Sequence, residues 1–227
     1  MIQKDPARYS FAHGGIMDDI LLIDKPAGIS SFGVIRLLRK RLGVRKMGHA
    51  GTLDPMASGL LIVGVGKGTK RLSEFADLTK TYQMRVLLGR RTTTGDITGE
   101  VIEERPPGRI TPEAVRRVMA GMVGEIELGV PAYSAAKYRG QPRYRYARRG
   151  VAIPASIRRS RIYRLEFQSM RRDGDKVFLD AELEAEKGTY ARAVAEEIGR
   201  RFGVPATLAA LRRVRIGSFN VASAEKF

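Results

Sequence analysis

The 227-residue chain contains no cysteine, which removes a disulfide framework, thiolate-bound zinc, iron–sulfur clusters and thiol catalysis together. Histidine is nearly absent: His13 and His49 are the only two, too few for a multi-histidine metal site. No apolar run approaches the roughly 20 residues that a membrane-spanning helix needs; the longest strongly apolar one is Leu60 to Val65. Asp18, Asp19 and Asp24 interrupt the one apolar stretch near the start, so no signal peptide is expected and a cytoplasmic location is the default. There is neither a lipidation signal nor a basic amphipathic anchor, so no membrane partner is expected.

Acidic residues are the other shortage. Asp and Glu number 24 against 41 Lys and Arg, a formal charge of +17 and an isoelectric point near 10.6. With 43% hydrophobic and 29% charged residues the chain has enough apolar material to fold, so the excess charge belongs to a surface and calls for a polyanion. Nucleic acid leads. The excess is uneven. Between Val130 and Arg172 stand twelve basic residues and one acid, Glu166. Tyr133, Tyr138, Tyr144 and Tyr146 lie in the same stretch. Guanidinium groups interleaved with rings suit RNA, where forked donors meet phosphate and rings stack on unpaired bases. A merely solvated Arg-rich face would be less clustered.

The first sixteen residues show neither a period of 2 nor one of 3.6 and read as a loose leader, with residues 17–227 as one domain. Ile20 to Ile23 reads as a strand closed by Lys25-Pro26-Ala27-Gly28, followed by a helix capped by Ser31 and stopped at Gly43. A strand is expected over residues 80–88, and a helix from Thr111-Pro112-Glu113. A hairpin is expected over 162–170 and 176–185 around Asp173-Gly174-Asp175. A helix capped by Thr189 should run to about Arg201, and a last strand from Val214 to Phe219. Strands and helices mix without regular βαβ alternation, which predicts an α+β fold around a largely antiparallel sheet flanked by helices.

The densest punctuation runs from Gly48-His49-Ala50-Gly51-Thr52-Leu53-Asp54-Pro55 to Lys67-Gly68-Thr69-Lys70. It is not a phosphate-binding loop, because Gly68 rather than Ser or Thr follows Lys67. What remains is one carboxylate, Asp54, in a turn whose glycines permit close approach by another chain. Local pattern leaves it either a turn-forming Asp or a catalytic acid. Arg192 is a second oddity, a cation in the first turn of its helix where the dipole disfavours positive charge. It answers either to Glu196 one turn on or to an anion elsewhere. Tyr82 reads equally well as a core-facing strand residue, and His49 as a structural one.

Lys25-Pro26-Ala27-Gly28-Ile29-Ser30-Ser31, the run GHAGTLDPMASGLLIVGVGKGTK, Lys80-Thr81-Tyr82, KGTYAR ending at Arg192, and Leu211-Arg212-Arg213 together closely resemble the TruB family of tRNA pseudouridine synthases. The resemblance runs in order from about Ile20 to the C-terminus. It implies the pseudouridine synthase fold and isomerisation of the T-loop uridine of tRNA (uridine-55) by base flipping, without metal or cofactor. The partner is the T stem-loop, and a monomer is expected. Asp54 would be the catalytic carboxylate, attacking either C1′ of the ribose or C6 of the base. Tyr82 would stack on the base and assist loss of the C5 proton, and Arg192 would pair with Asp54. His49 would fill the space left by the flipped nucleotide, and Tyr190 and Leu211 would line the pocket. Lys25, counted with the RNA-binding residues, would with Pro26 buttress the loop. Residues of about 130–160 resemble the family's RNA-gripping thumb, with Lys137, Arg139, Arg143, Arg145 and Arg148 as its contacts. Two departures stand out: Ala136 where Leu is expected, and an end at Phe227 where bacterial members usually continue into a small RNA-binding domain of the PUA kind. The competing reading is a non-catalytic RNA-binding or RNA-folding factor.

Overall fold

A computed structural model describes residues 19–227; the expected leader and His13 lie outside the described residues. In chain order the elements are β1 (Ile20–Lys25), α1 (Ser31–Leu42), β2 (Met47–Ala50), β3 (Ser58–Val65), α2 (Ser73–Ala76), β4 (Lys80–Leu88), β5 (Arg90–Thr92), β6 (Val101–Glu104), α3 (Pro112–Ala120) and β7 (Gly124–Gly129). There follow β8 (Lys137–Tyr138), β9 (Gln141–Pro142), α4 (Arg143–Ala147), β10 (Ile157–Asp173), β11 (Lys176–Ala185), α5 (Ala191–Phe202), β12 (Ala206–Ile216), β13 (Phe219–Asn220) and β14 (Glu225–Lys226). The architecture is α+β with mixed, mostly antiparallel strand pairing. The chain forms two compact units, one of residues up to Gln83 with Leu211–Phe227 and one of Met84–Ala210.

In the first unit the strand order is β14–β1–β3–β12, with β2 also on β3 and β13 on β12. The unbroken apolar run of β1 is explained by burial on both faces. Leu21 and Ile23 meet Val34, Ile35 and Leu38 of α1, while Ile20 and Leu22 meet Phe75, Ile216 and Phe219 on the other side. Phe75 and Phe219 pack edge to face at 5.5 Å. The cap of α1 is Ser30, whose hydroxyl accepts from Gly33 N at 2.9 Å, and not Ser31. Ser31 is released for another task, described below. The last strand also differs from expectation. β12 begins at Ala206, ends at Ile216, and turns back through Gly217 into β13. Gly217 N donates to Thr79 O at 2.9 Å, so the turn is fixed by the segment leading into β4.

In the second unit β4, β11, β10 and β7 lie side by side in that order. β10 and β11 form the expected hairpin, closing from Asp173 opposite Lys176. The inward residues Val177, Leu179, Ala181 and Leu183 of β11 are buried. Thr111 caps α3 by accepting from Ala114 N at 3.3 Å. At α5 the cap position is held by Tyr190, with no side-chain cap bond, rather than by Thr189. The Thr189 hydroxyl is buried with no hydrogen-bond partner among the described residues.

One close approach decides the geometry of the first unit. Gly59, at φ +102°, stands opposite Arg213 in the parallel β3–β12 pair. A Cβ at Gly59 would lie 2.2 Å from the Arg213 carbonyl oxygen. Gly59→Ala combines a disfavoured backbone region with a main-chain clash, and should cost about 3 kcal/mol in denaturant unfolding; a loss within about 0.5 kcal/mol would show that the strands part easily.

Candidate active site

Asp54 follows β2 and precedes β3, in a loop secured at every turn by main-chain oxygens. Ser31 Oγ donates to Leu53 O at 3.0 Å and accepts from Leu53 N at 2.9 Å, which is the task its displacement from the cap allows. Gly28 N donates to Pro55 O at 2.8 Å, and Ala57 N donates to Asp54 O at 3.1 Å. Lys25 is fully buried. Its Nζ donates to Pro26 O at 2.9 Å, Ile29 O at 2.7 Å and Pro55 O at 3.4 Å. Arg213, only 1% exposed, donates through Nε to Leu60 O and through Nη2 to Gly51 O, each at 2.8 Å. Two buried cations thus grip the loop by its carbonyls, one before Asp54 and one after. Asp54 itself is half-buried.

The two cations also set the electrostatics. Burial lowers the pKa of Lys25 to about 8; Asp54 opposes the drop and Arg213 adds to it. Burial likewise pushes Arg213 below its ordinary value, opposed by the Tyr82 hydroxyl, to which it is hydrogen-bonded. His49, at the end of β2, is held below its ordinary 6.5 by burial and then by Arg213, so the imidazole is neutral at neutral pH. Its Nδ1 is buried without a hydrogen-bond partner among the described residues. Lys80 donates to Ala76 O and Leu78 O, both at 2.6 Å. Among the described residues no group of three or more His, Asp or Glu side chains is placed to hold a metal ion.

In the second unit Arg192 is buried in the first turn of α5. Nη1 donates to Thr94 O and Nη2 to Tyr133 O, each at 2.8 Å, and Nε lies 3.9 Å from Asp96 Oδ2. Asp96 is in turn held by Thr94 Oγ1 at 2.9 Å, Thr98 N at 3.0 Å and Thr98 Oγ1 at 2.5 Å. Beyond Tyr133 the basic, tyrosine-rich segment folds into β8, β9 and α4. Arg139 lies over the Tyr138 ring, Arg148 over Tyr144 and Arg149 over Tyr146, at 5.3 to 5.5 Å. Tyr138 and Tyr146 pack edge to face at 5.6 Å.

The model of the TruB family of pseudouridylate synthases, N-terminal domain, matches residues 39–191. Tens of percent identity extend over nearly the whole chain: 41% over 207 residues to tRNA pseudouridine synthase B of Mycobacterium sp. (strain KMS), covering 91% of this chain and 70% of that protein. The corresponding protein of Azoarcus sp. (strain BH72) is 43% identical over 209 residues, covering 92% and 68%. The chain belongs to the TruB family. Its fold is that of solved pseudouridine synthase relatives. Against a Cbf5-Nop10-Gar1 complex the TM-score is 0.69 at 27% identity, over 92% of this chain. The match spans 52% of that solved chain, about half its length. An H/ACA RNP bound to a substrate RNA containing 2′-deoxyuridine gives 0.66 at 22% identity, covering 99% of this chain and 63% of that one, a likeness of fold alone.

With the family in place, the expected residues sort by geometry. Asp54, His49, Tyr82, Lys25 and Leu211 belong to the first unit and Tyr190, Arg192 and the thumb to the second. Two RNA-contact expectations need correction. Lys25 is walled in and spends its donors on three carbonyls, which fits the buttress and leaves nothing for RNA. Arg143 is 5% exposed, donating to Ser156 Oγ at 3.1 Å and Pro154 O at 3.0 Å; it folds the thumb instead of presenting charge. Lys137, Arg139, Arg145 and Arg148 are exposed, as is Arg149 beside them. The sequence reading gives Arg213 no role beyond its place in the Leu211-Arg212-Arg213 motif, and it passes over Asp96. The expected strand starts at Val214 and leaves Arg213 out, although Leu211 and Arg213, two residues apart, fall on one face of β12 and are both buried. Asp96 sits in Thr94-Gly95-Asp96-Ile97-Thr98, whose self-bonding pattern reads as an ordinary Asp turn.

The depressed pKa of Lys25 gives a signed prediction. From about pH 8 to 10.5 the native state has released a proton that the unfolded chain still holds, so stability rises with pH across that window. The difference in denaturant midpoint between wild type and Lys25→Met should therefore move in favour of wild type from pH 8 to 10.5; a flat difference would place the Lys25 charge in water.

Proposed function

We propose that the protein isomerises the T-loop uridine of tRNA, uridine-55, to pseudouridine, with Asp54 as the catalytic carboxylate. The observation that carries this reading is the clamping of the Asp54 loop by two buried cations. Carbonyl oxygens of Gly51 and Pro55 take the charge of Arg213 and Lys25, so the loop is rigid while Asp54 at its centre keeps partial exposure. A rigidly presented carboxylate is what a nucleophile acting on a flipped nucleotide requires. A binding-only role would explain the thumb but gives no reason to hold one acid so firmly.

The chemistry is an isomerisation, so atoms balance within the substrate. Asp54 attacks C1′ or C6, the N1 glycosidic bond breaks, the uracil turns, and C5 bonds to C1′. The C5 proton is then lost while a proton is gained at N1, and the carboxylate is released unchanged. Tyr82 is assigned to the face of the base and to the C5 proton. Its hydroxyl is hydrogen-bonded to the Arg213 guanidinium, which fixes where the ring and its oxygen stand. Neutral His49 suits stacking in the gap left by the nucleotide, and Tyr190 and Leu211 are assigned to the pocket wall. Arg192 is assigned as the partner of Asp54, with Asp96, Thr94 and Tyr133 fixing its own position. The exposed thumb cations take the phosphates. The protein is expected to act as a monomer in the cytoplasm; among the described residues no helix is long and apolar enough to cross a membrane.

Asp54→Asn should bind tRNA normally yet release no tritium from C5-labelled uridine, and substantial release would remove Asp54 from the chemistry. Arg192→Lys should lose most of the activity, because a point charge cannot replace a fork that meets several oxygens. Replacing Arg145, Arg148 and Arg149 with Gln should flatten the slope of log affinity against log salt by about 2, with the rate on saturating protein preserved. An unchanged slope would show that the thumb does not meet phosphate.

A further inference from the structure

The start of α5 lacks the local devices that usually fix a helix entry. Tyr190 holds the cap position without a side-chain cap bond, no acid stands in the first turn, and Arg192 opposes the dipole there. The Thr189 hydroxyl is turned inward. Thr189 N donates to Glu186 O at 3.4 Å, at the long end for such a bond. Arg192 is tied at its far end to Thr94 O and Tyr133 O, but residues 186–190, which bring in Tyr190, need a hold of their own from outside the helix.

The start of β10 supplies that hold. Arg161 N donates to Glu186 Oε1 at 2.9 Å, and Glu186 N donates to Arg161 O at 3.0 Å, which fixes the first residue of the loop. Arg158 fixes the next two. Alternation along β10 puts Arg158 on one face with Ser160 and Ile162, both buried, and puts Arg159 and Arg161 on the other, where they meet Glu127 and Glu125. Leu128, the register partner of Arg158 on β7, is buried as well. Arg158 is therefore an inward-facing residue that stays exposed because it stands at the end of the strand. Among the described residues no carboxylate pairs with it. Its Nη2 donates to Lys187 O at 3.3 Å. A Cβ at Gly188 would lie 2.6 Å from Nη2, 2.7 Å from Cζ and 2.9 Å from Nη1. Such near-equal spacings are those of a guanidinium plane lying across the glycine, closer than any side chain at that position allows. Gly188 also adopts φ +75°, so its backbone and its covering both call for glycine.

We propose that Arg158 is a positioning residue: its fork, laid on Gly188 and bonded to Lys187 O, holds residues 186–190 and so sets the place of Tyr190 and of the first turn of α5. It acts through that loop and touches no substrate. Arg158 follows closely on the bond that closes the thumb, Val130 N to Ser156 O at 2.8 Å, a place where one more phosphate contact would be the simpler role. Its inward direction and its seat on a glycine favour the strap, because a phosphate contact needs neither. The kinetic part of the proposal rests on the isomerase reading above; the strap itself does not.

The test compares Arg158→Gln and Arg158→Lys with wild type. Single-turnover tritium release from C5-labelled tRNA, at saturating protein, should fall about tenfold in both, less than the loss from misplacing a reacting group by about 1 Å. Affinity for tRNA, its salt slope and cooperative unfolding should stay at wild-type values. Lysine fails because the plane, and not the charge, covers the glycine. A phosphate contact would instead give a shallower salt slope in Arg158→Gln and full activity in Arg158→Lys, and that pair of results overturns the proposal. Gly188→Ala reaches the same contact from the other side by pushing the fork away, so it should cost less in the Arg158→Gln background than in wild type; full additivity overturns the proposal. Hydrogen exchange reads the strap without catalysis. The Thr189 and Val194 amides, which bond Glu186 O and Tyr190 O, should exchange about tenfold faster in Arg158→Gln, with the Ile198 amide unchanged. Wild-type exchange at Thr189 and Val194 overturns the strap whatever the rates. Absence of tritium release by wild type would remove the isomerase reading, and exchange then decides the strap by itself.

Discussion

The buried guanidinium of Arg213 is the interaction on which the first unit's site depends. Its main chain crosses Gly59 so closely that no side chain fits there, and its side chain bonds the carbonyls of Gly51 and Leu60. One residue thereby fixes the start of the Asp54 loop and the strand after it. A charge in that position is costly, and burial shows in the depressed pKa of Arg213 and of Lys25 nearby. Breaking such an arrangement leaves an uncompensated buried charge, which is why it resists piecemeal change. The same charge lies beside Tyr82 and helps burial to lower the pKa of His49, so the device that stiffens the loop also keeps that imidazole neutral.

Arg192 has a parallel design in the second unit. It ties Thr94 O to Tyr133 O, joining the Asp96 turn to the root of the thumb. Both units therefore hold their functional segments by arginine forks on main-chain oxygens, geometry that lysine cannot reproduce. The high arginine content, which first read as a sign of nucleic acid, serves structure as well. Arg143 makes the same point inside the thumb, where it bonds Ser156 and Pro154 rather than meeting RNA.

Much of the fold was legible because periodicity is a local property. β1, β4, α3 and the β10–β11 hairpin stand where alternation and turn chemistry put them. The misses are at helix starts, and at α1 a tertiary partner outbid the local one. Ser31 suits a cap but is drawn to Leu53, and Ser30 takes its place. Thr189 suits a cap too, yet its hydroxyl is turned inward. Asp54 stood out through the glycines around it and through family resemblance, whereas Arg213 and Asp96 look ordinary in one dimension. Their importance arises from what a distant strand or turn brings to them. Charge counting behaved similarly. The excess between Val130 and Arg172 is partly offset by Glu125, Glu127 and Glu182 on neighbouring strands, and no count along that segment could include those acids.

The central claim is that chemistry depends on a loop held rigid by Arg213. Single-turnover pseudouridine formation by Arg213→Lys, at protein concentrations that saturate tRNA, separates this from binding. The account predicts a rate lowered by about a hundredfold, the effect of misplacing a reacting group by about 1 Å, with tRNA affinity and cooperative unfolding retained. A wild-type rate in that variant would contradict it.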